Sequence, residues 1–177
     1  MKVSAKNIQK LREATSAGVM DCKQALTEAK GDFDKALGVL RRKGIALAAK
    51  KSSREAREGR IEAYVHLNNK IGVLVELNCE TDFVARCEDF RNLSKDVAMQ
   101  IAALNPLYLK KEDVPKDVVK ENKSRLEDFY KETCLLEQSF IKDQTKTVKD
   151  YLTEAIAKIG ENILIRRFTR FQLGEVS

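Results

Sequence analysis

The sequence predicts an α+β protein. A three-helix bundle spans residues 1–44, a basic helical linker 45–59, and a core of a small three-stranded antiparallel sheet packed with helices 60–177. Three observations predict it. Apolar residues recur at helical spacing in three short segments divided by Thr15-Ser16-Ala17-Gly18 and by Gly31. They recur at period two on either side of Asn68-Asn69 and again near the carboxyl end. The stretch between those strand patterns carries helical periodicity instead.

A chain of 177 residues can bury one substantial core with a small satellite. It contains no apolar run long enough to span a membrane, and Met1-Lys2-Val3-Ser4-Ala5-Lys6 lacks the apolar centre of a secretory signal, so a soluble cytoplasmic protein is expected. Cys22, Cys79, Cys87 and Cys134 form no Cys-x-x-Cys pair, and His66 is the single histidine. Zinc ligation and a thioredoxin-like pair are unsupported, and reduced thiols used as small apolar groups are expected. Arg41, Arg42, Lys43, Lys50, Lys51, Arg54, Arg57 and Arg60 face only Glu55 and Glu58 between 41 and 60, so this run alone carries the net charge of +6. Without an aromatic residue to stack on bases, it reads as a solvated linker; a phosphate-contacting segment is the alternative.

Ser4 is placed to cap the first helix, with Val3 and Ile8 at staple spacing and Ile8 and Leu11 facing inward. In the second helix, Met20, Cys22, Ala25, Leu26 and Ala29 form an apolar face, and Gly31 supplies a left-handed cap. Asp32 caps the third, whose stripe is Phe33, Ala36, Leu37 and Leu40 and whose end is set at Gly44. Val19 and Met20, just after Gly18, have two readings: filling of a small core, or contacts projecting from the helix mouth.

The first strand alternates Ile61, Ala63, Val65 and Leu67 against Glu62, Tyr64 and His66, with the apolar set expected inward. Asn68-Asn69 fits a two-residue primed turn, and the next strand buries Ile71, Val73, Val75, Leu77 and Cys79. Cys79-Glu80-Thr81-Asp82-Phe83-Val84 is then a corner from strand to helix. The helix beyond it carries Phe90, Leu93, Val97, Ile101 and Leu104 and ends at Asn105-Pro106. Phe83 also has two readings. Either Thr81 or Asp82 merely caps the helix and Phe83 folds onto the sheet, or Phe83 stands exposed among charges as a contact.

After Pro115, Val118, Val119, Leu126, Phe129 and Tyr130 mark another helix, and residues 133–146 read as irregular. Thr147-Val148-Lys149-Asp150 has capping-box spacing ahead of Leu152, Ala155, Ile156 and Ile159, and Gly160 closes that helix. A third strand is expected from Asn162 to Leu173, pairing with the hairpin. No phosphate-binding loop, nucleophile motif or metal cluster appears, and acid pairs such as Glu80 and Asp82 or Asp32 and Asp34 are explained as caps and surface charge. A binding protein without bound cofactor or metal, and not an enzyme, is expected.

Three stretches together resemble the elongation factor Ts family: Leu11-Arg12-Glu13 with Ala17-Gly18-Val19-Met20-Asp21-Cys22-Lys23-Gln24-Ala25-Leu26; Ile71 through Arg86; and Ile159-Gly160-Glu161-Asn162-Ile163 with Arg170-Phe171-Gln172-Leu173-Gly174-Glu175. The length is similar to the family's short form, with one core subdomain. The resemblance implies a UBA-like amino-terminal bundle and exchange of GDP for GTP on elongation factor Tu. Phe83 would wedge near that partner's magnesium site, positioned by Thr81 and Asp82 with Val84 packed beside it. Val19, Met20 and Lys23 would grip a helix of its G domain. It also implies a homodimer, non-covalent because Thr169 stands where a short-form relative has an inter-chain cysteine, with Phe168 and Phe171 as interface material.

The chain departs from the family pattern at Val19, where methionine is common, at Gln24, where lysine is common, at Asn68-Asn69, where a glycine-rich turn is usual, and at Ser139, where a proline is often seen. Two other readings compete: a ribosome- or RNA-associated module using the basic 41–60 run, and a thiol enzyme built on Cys79 or Cys87.

Overall fold

The computed structural model describes residues 3–15 and 17–175. Ser16, inside the predicted break after the first helix, and Met1 and Lys2 of the amino-terminal segment lie outside the described residues. The chain divides into two compact units, residues 1–54 with 153–162 and residues 55–152 with 163–177.

The first unit opens with three helices, α1 (Ala5–Thr15), α2 (Val19–Glu28) and α3 (Phe33–Lys51). Ser4 Oγ accepts the Asn7 N–H at 3.2 Å, and Val3 and Ile8 pack on one core with buried Leu11, Cys22, Ala25, Leu26, Ala36 and Val39. Cap and staple are thus as the sequence predicts. Gly31, at φ 87°, donates to Leu26 O at 2.8 Å and turns the chain out of α2. Asp32 accepts the Lys35 N–H at 3.0 Å to start α3, and that hydrogen bond holds its carboxyl below the usual aspartate range.

Two expectations fail here. Met20 is not part of the apolar face of α2 but exposed, because the inward stripe is carried by Cys22, Ala25 and Leu26. Nor does Gly44 end α3. It lies inside the helix, where a Cβ would sit 3.5 Å from Ala157, so it permits close packing against the helix α8 (Val148–Ile159) and is not a cap. The helix runs on to Lys51, whose ammonium donates to Gly160 O, while Asn162 Nδ2 donates to Arg54 O at 2.7 Å.

The second unit is organised on a three-stranded antiparallel sheet of β1 (Glu58–Val65), β2 (Ile71–Cys79) and β5 (Leu164–Gln172), in the order β1-β2-β5. Of the predicted inner row, the central strand buries Val73, Val75, Leu77 and Cys79, while Ile71 at its start is half-buried. They lie under α5 (Glu88–Leu104), which presents Phe90, Leu93, Val97 and Ile101; Leu104, predicted in that stripe, is exposed at the helix end. Leu77 pairs with Ile165 and Glu76 with Arg167, so Arg166 is an extra residue in β5. That bulge is why the apolar alternation slips a step between Ile165 and Phe168.

β1 has the opposite parity from the prediction. Ile61, Ala63, Val65 and Leu67 are exposed, while Glu62 is buried and Tyr64 and His66 are half-buried. Register decides this. Glu62 pairs with Val75 and Tyr64 with Val73, and directly opposite residues share a face, so burial of Val73 and Val75 turns Glu62 and Tyr64 inward with them. Arg60 Nη2 meets the Glu62 carboxylate at 2.7 Å, and Tyr64 Oη lies 3.0 Å from His66 Nδ1. Gly59, at φ 148°, faces Asn78 so closely that a Cβ would lie 2.0 Å from Leu77 O. The hairpin loop is longer than predicted. Asn69 alone of the pair Asn68-Asn69 takes a positive φ, Asn69 N–H donates to His66 O at 2.7 Å, and His66 N–H reaches Ile71 O; a type I′ turn would need both asparagines left-handed.

The remaining segments differ from the prediction in two places. The helix after Pro115 is two, α6 (Lys116–Glu121) and α7 (Leu126–Thr133), broken at Asn122, whose side chain donates to Val118 O at 2.9 Å. The stretch read as irregular holds a small hairpin of β3 (Ser139–Phe140) and β4 (Asp143–Thr147). Buried Gln100 and Gln138 pin it. Gln100 Nε2 donates to Gln138 Oε1 and Ser139 O, Gln100 Oε1 accepts the Ile141 N–H at 2.9 Å, and Gln138 Nε2 donates to Glu132 O at 2.9 Å. Phe140 stacks on Tyr151 at 4.2 Å, and Thr147 and Asp150 cap α8 reciprocally, as predicted.

Gly59→Ala is expected to lower the free energy of unfolding by at least about 2 kcal/mol, since the added methyl forces β1 off β2 at a strained φ. Urea denaturation followed by circular dichroism checks it. Gln100→Leu, which strands the Ile141 N–H and the Ser139 carbonyl, is expected to cost about 2 to 4 kcal/mol in the same assay.

Candidate functional site

The corner after β2 is a separate one-turn helix, α4 (Asp82–Arg86), and not the first turn of α5. Each end is tied. Thr81 Oγ1 accepts the Val84 N–H at 3.3 Å, and Thr81 O accepts both the Ala85 N–H at 3.2 Å and the Cys79 thiol at 3.1 Å. Cys87 closes α4 by donating its N–H to Val84 O at 3.0 Å, then opens α5 by accepting the Phe90 N–H on Sγ at 3.5 Å. Buried Ala85 faces the interior, with Val84 half-buried beside it.

Phe83 is 79% exposed on this clamped turn. The reading in which it folds onto the sheet does not hold. Asp82 next to it is exposed and accepts from Arg86 Nη2 at 2.5 Å, across one helical turn. The arrangement presents an aromatic ring with its neighbouring carboxylate held in place by a guanidinium.

In the first unit, Val19 is half exposed and Met20 is 71% exposed at the amino end of α2, with exposed Lys23 one turn on from Val19. Gly18 leads into α2 without a side-chain cap. The first two turns are braced instead by Lys43 of α3, which reaches Gln24 Oε1 at 2.7 Å and the Asp21 carboxylate at 3.8 Å. Gln24 is thus tied to the bundle, and Val19, Met20 and Lys23 are presented outward.

Part of the basic run is paired within the protein, while Arg41, Arg42, Lys50, Arg54 and Arg57 remain exposed. Arg42 pairs with Glu28, Lys43 with Asp21, Arg57 with Glu55 and Arg60 with Glu62, and Lys51 caps a carbonyl. All four cysteines are free thiols, and Cys22, Cys79 and Cys134 are buried. Burial pushes the Cys134 thiol up, away from the thiolate that nucleophilic chemistry needs.

On the outer face of the sheet, sequence reasoning named only Phe171; Phe168, named with it, pairs with buried Val75 and turns to the inner face. Ile61, Val65, Leu74 and Phe171 all lie exposed on it. β1 alone gave the wrong sign, and the signal that could have found this face was the pairing of its parity with that of β2.

Comparison with known proteins gives one family. Its profile, described as Elongation factor TS, matches residues 2–125 and 122–175. The chain is similar to Elongation factor Ts of Caldanaerobacter subterraneus subsp. tengcongensis, 55% identical over 98% of each chain. It is 51% identical to Elongation factor Ts of Fervidobacterium nodosum over 99% of this chain and 100% of that one. With Elongation factor Ts of Thermodesulfovibrio yellowstonii it shares 50% identity over 99% of this chain and 98% of the relative.

Thr81→Ala is expected to loosen α4 by about 1 kcal/mol through loss of its cap, without unfolding the sheet. Hydrogen exchange at the Val84 amide should quicken by about fivefold while the amides of β2 keep their protection.

Proposed function

The chain belongs to the elongation factor Ts family, and from that premise we propose that it is the guanine-nucleotide exchange factor for elongation factor Tu, acting in the cytoplasm by binding and not by bond chemistry. The observation that carries the reading is the exposure of Phe83 on a helix tied at both ends. An apolar ring held rigidly in water loses little conformational freedom on docking, so most of its burial is available to the complex.

Exchange follows from linkage. A factor that binds nucleotide-free elongation factor Tu better than the loaded form must weaken nucleotide binding by the same factor. Phe83 enters near the partner's magnesium site and displaces side chains that hold the ion. Magnesium offsets phosphate charge, so disturbing it loosens GDP and leaves the site open to GTP. Asp82, steadied by Arg86, makes polar contacts beside the ring; Thr81 fixes the turn, and Val84 packs next to it. Val19, Met20 and Lys23 supply a second grip, two apolar side chains and a cation against a helix of the G domain. The factor itself carries no cofactor.

A second copy of the chain belongs to this reading. The exposed outer face of the sheet is apolar across all three strands, the kind of surface that homodimers bury. No cysteine lies on it, so the dimer is non-covalent.

Wild-type protein is expected to accelerate release of a fluorescent GDP analogue from cognate elongation factor Tu, and Phe83→Ala to lose about tenfold or more of that acceleration. Retention of full acceleration by a folded Phe83→Ala would move the mechanism to the bundle. No acceleration by wild type would defeat the exchange reading. Arg54→Ala and Arg57→Ala should leave exchange unchanged, whereas steeply salt-dependent RNA binding lost in those variants would favour the nucleic-acid alternative.

A further inference from the structure

Helix α3 carries a basic face that nucleotide exchange leaves unused. From Ala36 to Arg54 the chain contains no acidic residue, while Arg41, Arg42, Lys43, Lys50, Lys51 and Arg54 fall within that stretch. Lys43 and Lys51 are engaged inside the first unit, Lys43 with Asp21 and Gln24 and Lys51 with Gly160 O. Arg41 and Lys50 are exposed, and among the described residues neither has an ion-pair or side-chain hydrogen-bond partner. Arg42 meets Glu28 at 3.9 Å with both side chains more than half exposed, a pairing that contributes little.

A helix turns about 100° per residue, which sets Arg41, Arg42, Ile45, Ala46, Ala49 and Lys50 on one half of its surface. All six are exposed. The opposite side of α3 is already used, with Ala36 and Val39 in the core of the bundle and Gly44 against Ala157. Arg42 and Lys50 stand about 12 Å apart along the axis at 1.5 Å per residue. Ala46 and Ala49 keep the middle of the face low, so a rigid surface can rest on both cationic ends at once. Glu28 flanks Arg42 and Asp34 stands two turns before Arg41, so the face is purely basic from Arg41 onward.

We propose that this face of α3 binds the phosphate backbone of duplex RNA, an activity separate from exchange at the Phe83 corner. An elongation factor of translation works among folded RNA, so duplex RNA is the polyanion such a face meets. Charge complementarity supplies the attraction, through release of the counterions that neutralise phosphates. The face holds no amide or carboxylate to pair with a base edge, so it grips backbone without reading sequence. It also holds no aromatic ring on which an unpaired base could stack, which favours a duplex over a single strand. A membrane surface fits less well. Ile45 is the single large apolar residue on the face, whereas a helix lying in a headgroup layer needs a continuous apolar side.

The test uses the full chain and a fluorescein-labelled RNA duplex of about 16 base pairs, with binding read by anisotropy across a salt series. Contacts from Arg41, Arg42 and Lys50 to three phosphates give an expected slope of about −2.7 in log K against log salt. Arg41→Gln/Lys50→Gln, which keeps two good helix formers, is expected to weaken binding at least about tenfold at low salt and to flatten the slope by about 1.8. Arg57→Ala should bind RNA like wild type, because the Arg57 guanidinium is held by Glu55 at 2.7 Å. Release of the GDP analogue from elongation factor Tu should be unchanged in Arg41→Gln/Lys50→Gln, so RNA binding and exchange fail or hold independently.

Absence of duplex binding by wild type at low salt would overturn the proposal, and so would binding that the double variant keeps. Tighter binding to the matching single strand or DNA duplex would overturn it by giving the face another occupant. Partition onto phosphatidylserine vesicles without duplex binding would do the same.

Discussion

Burial of Val73, Val75, Leu77 and Cys79 of β2 against α5 is the constraint on which the second unit depends. A strand has period two, so choosing those four as the inner row assigns every residue of both neighbouring strands to a face. Arg60, Glu62 and Tyr64 turn inward against their apparent polarity, and Ile61 and Val65 turn outward. The inner row also ends in the thiol that bonds Thr81 O, so the same burial that fixes the sheet fixes where α4 begins. The exposed ring of Phe83 is held by the core through two short links, Cys79 and Ala85.

That dependence explains what was legible in the sequence. β2 could be read because its period-two signal is unopposed and its burial follows from its own residues. α1 and α8 could be read because Ser4 and the Thr147–Asp150 pair act locally, on amides three residues away. β1 was read with its faces exchanged because its parity is set by pairing with another strand, which turns its own apolar set to the exposed face. Gly44 was misread for a similar reason. A glycine after a basic helical turn looks like a cap, and only the nearness of Ala157 turns it into a packing site.

The candidate site divides along the same line. The corner at Cys79–Val84 was visible as a change of periodicity, and Thr81 as a cap. Whether Phe83 points in or out was not visible, because a phenylalanine next to a cap can serve either end. The break at Cys87 was also hidden, since cysteine is a weak hydrogen-bonding group and its sulfur caps α5 at 3.5 Å without a sequence signature.

Exposure separates the residues that fold this protein from those available to its partners. A side chain exposed in both the folded and unfolded chain gains nothing from folding, so Phe83, Met20 and the outer sheet face contribute little to the stability that Leu77, Phe90 and Ile101 supply. The three surfaces differ in what they can receive. Phe83 is one ring on a short clamped helix, suited to a pocket. Val19, Met20 and Lys23 occupy a helix end, suited to another helix. Only the sheet face is broad, with exposed Ile61, Val65, Leu74 and Phe171 spread over all three strands.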